Sequence, residues 1–336
     1  MSRRGRRDGE RGVAMVIVMW IILVLSLMIG GFAFTMHVET QVASFNRKQL
    51  KAEMLARSGV ELARMQLILD TASATEGAFD ALNQQWATNE LLYVNHELGD
   101  GIINVTVTDE EGKMPINQAA PEQLKRLLDL LAVDPADADA IADSVQDWID
   151  DNDTHRLNGA EDEFYLSLVP PYRAKNAPLD RVEELLLVRG MTPEILYGQP
   201  AQHEDEEAIP GLLQFITTTS AGQVNVNTAT REVLQAFLGL DDIQADAVVN
   251  RRDGGDGITG TEDDQPFQSV DEFTALLGNV EQGARERMRQ ALTVKSSFFR
   301  IQSTGEVGGV RRKVTVIVQR QGAVVTVVSW QEKRGG

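Results

Sequence analysis

Hydrophobic residues form one long uninterrupted block near the start of the chain. No charged residue occurs between Val13 and Met36, a run of 24 residues. At about 1.5 Å per residue, a helix of this length spans roughly 36 Å, enough to cross a hydrocarbon core of roughly 30 Å. Beyond this block, apolar residues recur at helical spacing as far as about Leu69. The pattern predicts one continuous helix over 13–69 whose transmembrane part is 13–36.

A basic leader precedes this block. Residues 1–12 hold five arginines and two acids, a net charge of +3. By the positive-inside rule, the leader stays in the cytoplasm and the chain crosses the membrane once. A removable secretory signal is the alternative interpretation, although the apolar run is longer than such signals have and lacks a small-x-small cleavage site at its far end.

Alternating apolar and polar residues predict strands in two distant parts of the chain. In the first part, 90–112, Ile103, Val105 and Val107 alternate with polar residues. The second part, 298–330, has three alternating segments divided by glycine-containing turns. Between these two parts the pattern is helical.

These elements predict an α+β protein with one domain nested inside another. The long helix, completed over 37–112, would pack on a small antiparallel sheet whose last strands lie in 298–336. A large all-α insert over 113–297 would interrupt the sheet. This insert holds 15 basic and 34 acidic residues, a net charge of −19, within a chain of 336 residues whose net charge is −18.

The insert contains two related segments, 116–150 and 226–260. An Ile-Asn pair at 116–117 in the first matches a Val-Asn pair at 226–227 in the second. Each copy predicts a capped helix, a short hairpin and a second helix, which is similar to the helix-hairpin-helix (SAM-like) unit. The second copy also resembles membrane-anchored DNA receptors of competence systems, so a membrane-anchored DNA-binding protein is one alternative.

The hairpins argue against nucleic acid. A DNA-binding hairpin usually reads G-x-G, because its backbone N–H groups must come close to a phosphate. Here Asp241 replaces the second glycine, and the first copy reads Ala132-Val133-Asp134. A carboxylate at that position repels phosphate, and the negative charge of the insert adds to the repulsion. We therefore expect the repeat to serve helix packing, with no nucleic acid as partner.

The residue composition also excludes several kinds of catalytic site. The chain has no cysteine, which excludes disulfides, thiolate metal sites and cysteine nucleophiles. Its four histidines are scattered without an HExxH motif, and there is no GxxxxGK[ST] phosphate loop. We expect no enzymatic activity and no catalytic residue.

The segment between Asp147 and Tyr165 is the strongest candidate for binding a ligand. If Asp150 is position 1 of a 12-residue calcium loop, oxygen-bearing residues fall at the ligand positions and Glu161 falls at position 12. His155 stands where the sharp-turn glycine belongs, so the loop is not a true EF-hand, and a solvated acidic loop is the alternative. The candidate Ca²⁺ ligands are Asp150, Asn152, Asp153, Glu161 and Asp162.

A second acidic loop follows the second repeat. Its glycines allow positive φ and let backbone carbonyls turn inward, as calcium loops need. A flexible acidic loop is the alternative, so we expect one or two Ca²⁺ ions in the whole chain. The candidate ligands here are Asp253, Asp256, Glu262 and Asp264. The acidic run at 203–207 is interpreted as a solvated linker.

The N-terminus resembles the class III signal of type IV pilins and type II secretion pseudopilins. The basic leader ends at Gly12, and Val13 opens the apolar helix. The resemblance implies that a prepilin peptidase cuts after Gly12 and methylates Val13. Most members of this class carry Glu at the fifth mature position, which here is Ile17. The K-type minor pseudopilins of type II secretion share this departure.

Further motifs strengthen the resemblance to the K-type family. The run D-W-I-D at 147–150, N-G-A-E-D at 158–162 and Asn-Ala-Pro at 176–178 look like its signature. Membership implies calcium in the helical domain and a complex with I- and J-type minor pseudopilins that primes and caps the pseudopilus. It also implies the inner membrane of a Gram-negative bacterium, contact with the inner-membrane secretion platform, and a periplasmic domain that meets exoprotein substrate or the outer-membrane secretin. A minor pilin of a type IV pilus is the other alternative.

Overall fold

The structure, a computed structural model, describes most of the chain. The described ranges are 7–72, 78–200, 208–278 and 281–334, with side chains described between 13 and 332. The first six residues of the leader, the linker at 203–207 and the last two residues lie outside the described residues.

The chain begins with one long helix, which is followed by short helices and strands in mixed order. The helices are α1 (Arg7–Ala72), α2 (Gln85–Thr88), α3 (Glu90–Tyr93), α4 (Pro121–Leu130), α5 (Pro135–Ile149), α6 (Asp162–Leu166), α7 (Pro193–Tyr197), α8 (Arg231–Leu238), α9 (Asp242–Arg252), α10 (Val270–Leu276) and α11 (Gln282–Ala291). Short 3-10 helices occupy Val182–Leu187 and Leu212–Gln214. The strands are β1 (His96–Leu98), β2 (Gly101–Asp109), β3 (Met114–Pro115), β4 (Gly198–Gln199), β5 (Ile209–Pro210), β6 (Ile216–Thr217), β7 (Val224–Asn225), β8 (Leu292–Thr293), β9 (Phe298–Val307), β10 (Val310–Gln321) and β11 (Val324–Arg334).

The first helix, α1, is continuous over 66 residues, which confirms the long helix predicted from the sequence. The large apolar side chains from Val13 to Leu25 are all exposed. Among the described residues, α1 is the one helix long and apolar enough to span a membrane.

The second half of α1 lies on the sheet with a face of small residues. Ala52, Ala56 and Ala63 on this face are fully buried. A Cβ at Gly59 would lie 2.2 Å from the hydroxyl oxygen of Ser303, and a Cβ at Gly305 would lie 2.1 Å from a backbone oxygen of α1. Glycine on both sides therefore allows the close approach of helix and sheet.

Five strands form an antiparallel sheet in the order β1-β2-β9-β10-β11. The strands predicted over 298–330 are confirmed by β9, β10 and β11. The strand prediction is wrong at 90–93, where Leu91, Leu92 and Tyr93 belong to the helical turn α3. A short apolar run fits either structure, and the local Asn89 cap, which accepts a hydrogen bond from the N–H of Leu92 at 3.2 Å, selects the helix.

We call α1 to α3 with the five-stranded sheet the body, and residues 114–293 the head. The head forms two units. The first unit contains α4 and α5, and the second contains α8 and α9. A parallel pair of two-residue strands joins the start of each unit to its end: β3 with β6, and β7 with β8. The expectation of an all-α insert is wrong in this respect, because such short pairings leave no alternation in the sequence.

The matching asparagines of the repeat make the same pair of hydrogen bonds in both units. Asn117 donates to the carbonyl oxygen of Leu179 at 3.0 Å and accepts from its N–H at 2.8 Å. Asn227 makes the same two bonds to Phe267, at 3.0 and 2.8 Å. Each side-chain amide thus fastens the start of its unit to a segment folded over it.

Head and body have separate hydrophobic cores. The head core contains buried residues from Met114 to Leu292. The body core lies between α1 and the sheet and includes Trp86 and Phe299, whose ring centroids are 5.1 Å apart.

Candidate metal site

Aromatic side chains hold both ends of the acidic loop between α5 and α6. Trp148, at the end of α5, and Tyr165, in α6, are buried with ring centroids 5.1 Å apart. Tyr172 packs 5.4 Å from Tyr165, and its hydroxyl donates to the carbonyl oxygen of Leu187 at 2.8 Å. The loop ends are therefore fixed in the head core, while residues 151–157 are exposed.

The first half of the loop folds around its own acids. Oδ1 of Asp150 accepts from the side-chain amide of Asn152 at 2.6 Å, and Oδ1 of Asn152 accepts from the N–H of Thr154 at 2.9 Å. Oδ1 of Asp153 accepts from the side-chain amide of Asn176 at 3.0 Å. Three of the predicted ligands thus lie in one compact turn.

The second half of the loop departs from the calcium-loop spacing. The N–H of Arg156 donates to both carboxylate oxygens of Asp147, at 3.2 and 3.0 Å. Asn158 donates to Asp143 from its N–H and its side chain, at 3.0 and 3.2 Å. A Cβ at Gly159 would lie only 1.9 Å from Asp147, so glycine is required here. The residues at positions 7 and 9 of the counted loop therefore bind acids of α5.

Glu161 is buried with both carboxylate oxygens lacking a hydrogen-bond partner. The residue is only 4% exposed. Burial, followed by the nearby charges of Asp147, Asp150 and Asp153, raises the pKa of Glu161 to about 7. A bound cation would relieve both causes, because it would bind the buried oxygens and offset the repulsion between the acids.

Asn176 is a candidate ligand that sequence interpretation missed. Its side-chain oxygen is buried without a hydrogen-bond partner, while its Nδ2 is bonded to Asp153. Its backbone φ is 47°, in the left-handed region that asparagine tolerates better than most residues. The Asn-Ala-Pro run was the only signal, and such a run indicates a turn without indicating where the side chain lies.

Asp162, the last predicted ligand, is engaged elsewhere. It accepts from the guanidinium of Arg173 at 2.7 Å and from the N–H of Ala174 at 2.9 Å. Among the described residues, no three Asp, Glu or His side chains converge in an arrangement that could hold a metal ion. Calcium also takes amide oxygens, so the buried oxygens of Glu161 and Asn176, which lack hydrogen-bond partners, are the candidates for binding a hard cation.

The second acidic loop supplies partners to most of its own acids. Asp253 is buried and pairs with Arg252 at 2.9 Å. Asp256 and Asp264 each accept from an N–H of the loop at 2.8 Å. Glu262 is exposed. Unlike the first loop, this one has no buried oxygen without a partner among the described atoms, and a cation here stays a prediction.

The two hairpins place carboxylates where a DNA-binding unit would hold phosphate. Asp134 caps α5 by accepting from the N–H of Ala136 at 2.9 Å, and Asp241 caps α9 by accepting from the N–H of Gln244 at 2.8 Å. The N–H groups at these helix starts are thus partly occupied by the protein's own anions.

A buried polar cluster joins head and body, and sequence interpretation did not find it. Asp109, at the end of β2, accepts from Asn225 at 3.1 Å, Thr228 at 2.5 Å and Ser296 at 2.6 Å. Burial raises the pKa of Asp109 to about 7, although the bonds from Ser296 and Thr228 oppose the rise.

The next residue, Glu110, behaves in the opposite way. Burial would raise its pKa, but Lys113 and Arg300 lower the pKa of Glu110 to about 2. Arg300 binds it at 2.6 Å and Lys113 at 2.9 Å. Nearby, buried Asp80 pairs with Arg320. The run of acids at 109–111 was visible in the sequence, but most of their partners lie more than 100 residues away.

Comparison with known proteins points to one family. Two family models match the chain, both described as type II secretion system (T2SS), protein K: one over residues 101–197 and the other over 224–295. The type II secretion system protein K of Pseudomonas aeruginosa is 26% identical over 328 residues, covering 94% of this chain and 90% of that protein. The protein of the same name from Klebsiella pneumoniae is 28% identical over 232 residues, covering 65% and 66%.

A solved structure shows a similar fold. It is a chain in the crystal structure of the GspK-GspI-GspJ complex from the enterotoxigenic Escherichia coli type 2 secretion system. The TM-score is 0.67 at 22% sequence identity, covering 88% of this chain and all of that one.

A long apolar helix on a small antiparallel sheet, together with these matches, defines a subunit of the pseudopilin class. The chain belongs to the type II secretion system protein K family, as the sequence motifs predicted.

Proposed function

We propose that this protein is a minor pseudopilin that primes and caps the tip of the type II secretion pseudopilus, for export of folded proteins across the outer membrane. The family match is the observation that carries the proposal. The head adds 180 residues to the body, a bulk that would clash with a subunit stacked above it and suits the end of a filament. The role is structural, with no catalysis.

Ile17 supports a position at the end of the filament. A buried Glu at this position would be stabilised by the terminal amine of a neighbouring subunit, because an unpaired charge in lipid or a packed core is costly. Ile17 cannot form that ion pair, and a subunit at the end of a filament has fewer neighbours with which to form it.

The proposed partners follow from the family. The related solved structure is a complex of GspK with GspI and GspJ, and we propose I- and J-type minor pseudopilins as the partners of this chain. The secretion platform would meet it at the inner membrane, with the head in the periplasm, where exoprotein or the secretin could contact it.

Processing of the N-terminus tests the pseudopilin assignment. We expect protein extracted from membranes to lack residues 1–12 and to begin with methylated Val13, but only in cells that have prepilin peptidase. Intact-mass measurement and N-terminal sequencing with and without the peptidase would show this. An intact leader in both strains would instead identify a fixed single-span anchor and would contradict assembly into a filament.

The tip position needs its own measurement. Co-purification with tagged I- and J-type subunits, followed by gold labelling of the head on sheared pseudopili, should give label at filament ends alone. Label along the filament length would contradict the capping role while leaving the processing result intact.

We further propose that the first acidic loop binds Ca²⁺. Glu161, Asn176 and Asp153 would hold the ion, with Asp150 and Asn152 shaping the turn around it. The bound ion would supply positive charge to a group of acids that repel one another. Its role is to fix the loop, without any chemical step.

Paired glutamates allow a matched test of the calcium site. In Glu161→Gln, we expect Ca²⁺ affinity measured by calorimetry on the full chain in detergent to fall at least about tenfold, since a charged, buried ligand is lost. Glu163→Gln makes the same change two residues away at an exposed position and should bind as the wild type does. Equal affinity in the wild type and both variants would contradict the site.

A further inference from the structure

Basic side chains gather at the end of the body nearest the membrane-spanning part of α1. Lys48 lies beside the β9–β10 turn, since a Cβ at Gly308 would be 3.1 Å from its Nζ. Lys51 reaches the β1–β2 turn and pairs with Asp100 at 2.5 Å. The group, here called the basic collar, consists of Arg47, Lys48 and Lys51 on α1 and Arg311, Arg312 and Lys313 on β10.

Acids compensate only part of the basic collar. Lys51 is paired with Asp100, and Arg311 is paired with Glu306 at 2.6 Å. Glu53 and Glu332 lie close by, but both are bound by Arg57, at 2.8 and 2.9 Å.

The other four collar residues have no acid within ion-pair distance among the described residues. They are Arg47, Lys48, Arg312 and Lys313. Lys313 is bonded to a neutral partner, Gln302, at 2.9 Å. Between the apolar run and the basic collar, α1 carries a single acid, Glu39.

A groove between α1 and β10 contains a donor that lacks an acceptor. The groove has a volume of about 380 Å³, and its walls include Arg312 and Lys313 from β10 and the carboxylates of Glu53 and Glu332. Nε of Arg312 is buried without a hydrogen-bond partner, and Arg57 binds both glutamates. The charge of Arg312 is therefore not paired with an acid in the described part of the body.

The position of the basic collar along α1 brings it near the lipid headgroups. Arg47 follows Met36 by 11 residues, about 16 Å along a helix. The headgroup layer occupies roughly 5–8 Å of that distance. Side chains on a helix lean toward its N-terminus, which here is the membrane side, so Arg47 and Lys48 point into the remaining gap. That gap is about one Debye length.

We propose that the basic collar attracts anionic phospholipid headgroups of the leaflet from which α1 emerges, across a gap of about one Debye length. Charge favours a lipid surface as the partner, because the membrane-spanning part of α1 keeps the collar close to that surface. The head, with its net charge of −21, is repelled by the same surface. The two effects together hold the body against the membrane and the head away from it, until the subunit is drawn into a filament.

The absence of cysteine allows a clean distance measurement. Leu98, exposed at the end of β1 beside the Lys51–Asp100 pair, is replaced by a single labelled cysteine in the full-length protein. The protein is placed in nanodiscs of phosphatidylcholine, with or without about 30% phosphatidylglycerol and with a headgroup spin label as quencher. We expect stronger quenching with phosphatidylglycerol, and a loss of that difference at about 0.5 M salt.

Charge reversal separates the basic collar from general electrostatics. In Lys48→Glu with Arg312→Glu, we expect the phosphatidylglycerol-dependent quenching to disappear, since each basic side chain near an anionic surface contributes about fivefold to binding. Arg287→Glu with Arg289→Glu makes the same change in net charge at exposed positions of the head. This double variant is the matched control and should keep the phosphatidylglycerol-dependent quenching. Circular dichroism checks that both double variants fold.

Two results would overturn the proposal. One is equal quenching in neutral and anionic discs, which would show that the basic collar does not interact with lipid and would favour a protein as its partner. The other is equal loss in collar and head variants, which would mean that net charge alone sets the distance. Both readouts are independent of secretion and filament assembly.

Discussion

The pKa values of buried carboxylates in this protein are shifted in opposite directions, depending on the groups that face them. Asp109 and Glu161 have pKa values raised to about 7, in both cases mainly by burial. Glu110 is just as buried, yet Lys113 and Arg300 lower its pKa to about 2. The sequence shows acids at all three positions but gives no sign of this difference, because burial is a property of the fold and Arg300 lies 190 positions from Glu110 in the chain.

These shifts predict the pH dependence of stability. A raised pKa means that folding favours the protonated acid, so the stability from Asp109 and Glu161 is present below about pH 4 and is lost as the pH rises through about 7. In EDTA, we therefore expect a higher Tm at pH 5.5 than at pH 8, measured by differential scanning fluorimetry. Glu110 acts in the opposite sense, and its stability is lost only as the pH falls from about 4.5 toward 2.

Calcium and two variants identify the groups responsible. Saturating Ca²⁺ should reduce the difference in Tm between pH 5.5 and pH 8, because the ion stabilises ionised Glu161. Glu161→Gln in EDTA and Asp109→Asn should each reduce it as well. A wild-type Tm in EDTA that increases from pH 5.5 to pH 8 would contradict both pKa shifts.

The asparagine that fastens the second unit should be important for stability. Asn227→Ala leaves the N–H and carbonyl of Phe267 unpaired in a buried site, so we expect a loss of about 2–4 kcal/mol. Asn250→Ala, on the exposed face of α9, should change the free energy of unfolding by less than about 0.5 kcal/mol. Urea denaturation of the two variants followed by tryptophan fluorescence would check this, and equal midpoints would show that the repeated Asn is not structural.

Among the secondary-structure elements, those with one face on a core were predictable from the sequence. In β9, half-buried and buried residues alternate strictly because one side faces α1, and a similar alternation holds over most of β2. The turn α3 and the two-residue strands of the head were not predictable, because they are shorter than the period of any pattern. Their conformation depends on a cap or on a partner strand from elsewhere in the chain.

The repeat in the head was found in the sequence for a physical reason. Each copy needs an Asn that bonds to a crossing segment and an Asp that caps the second helix, and both needs fall at fixed distances from the hairpin. The proposed calcium ligands follow no such local rule. Asn176 reaches Asp153 across 23 positions of the chain, so counting along the first loop could not find it.

At the scale of the whole molecule, the nested arrangement was predictable and the joint between its parts was not. The two blocks of alternation and the charge of the insert indicated a head placed between strands. The joint is a cluster of Asp109, Asn225 and Ser296, residue types that are common at any surface. Only the fold shows that these three are buried together.

The direct pairing of β2 with β9 has a consequence for the order of folding. Asp109 lies opposite Phe299, although 189 residues separate them in the chain. Closing an unfolded loop of that size costs about 3 kcal/mol more than closing a hairpin turn. The parallel strand pairs of the head bring its two ends together, so a folded head removes most of that cost. We therefore expect pulsed hydrogen exchange to protect α4, α5, α8 and α9 before β2 and β9, and earlier protection of the sheet would contradict this order. On this order of folding, the sheet of the body is completed only after the head has folded and β9 to β11 have been synthesised.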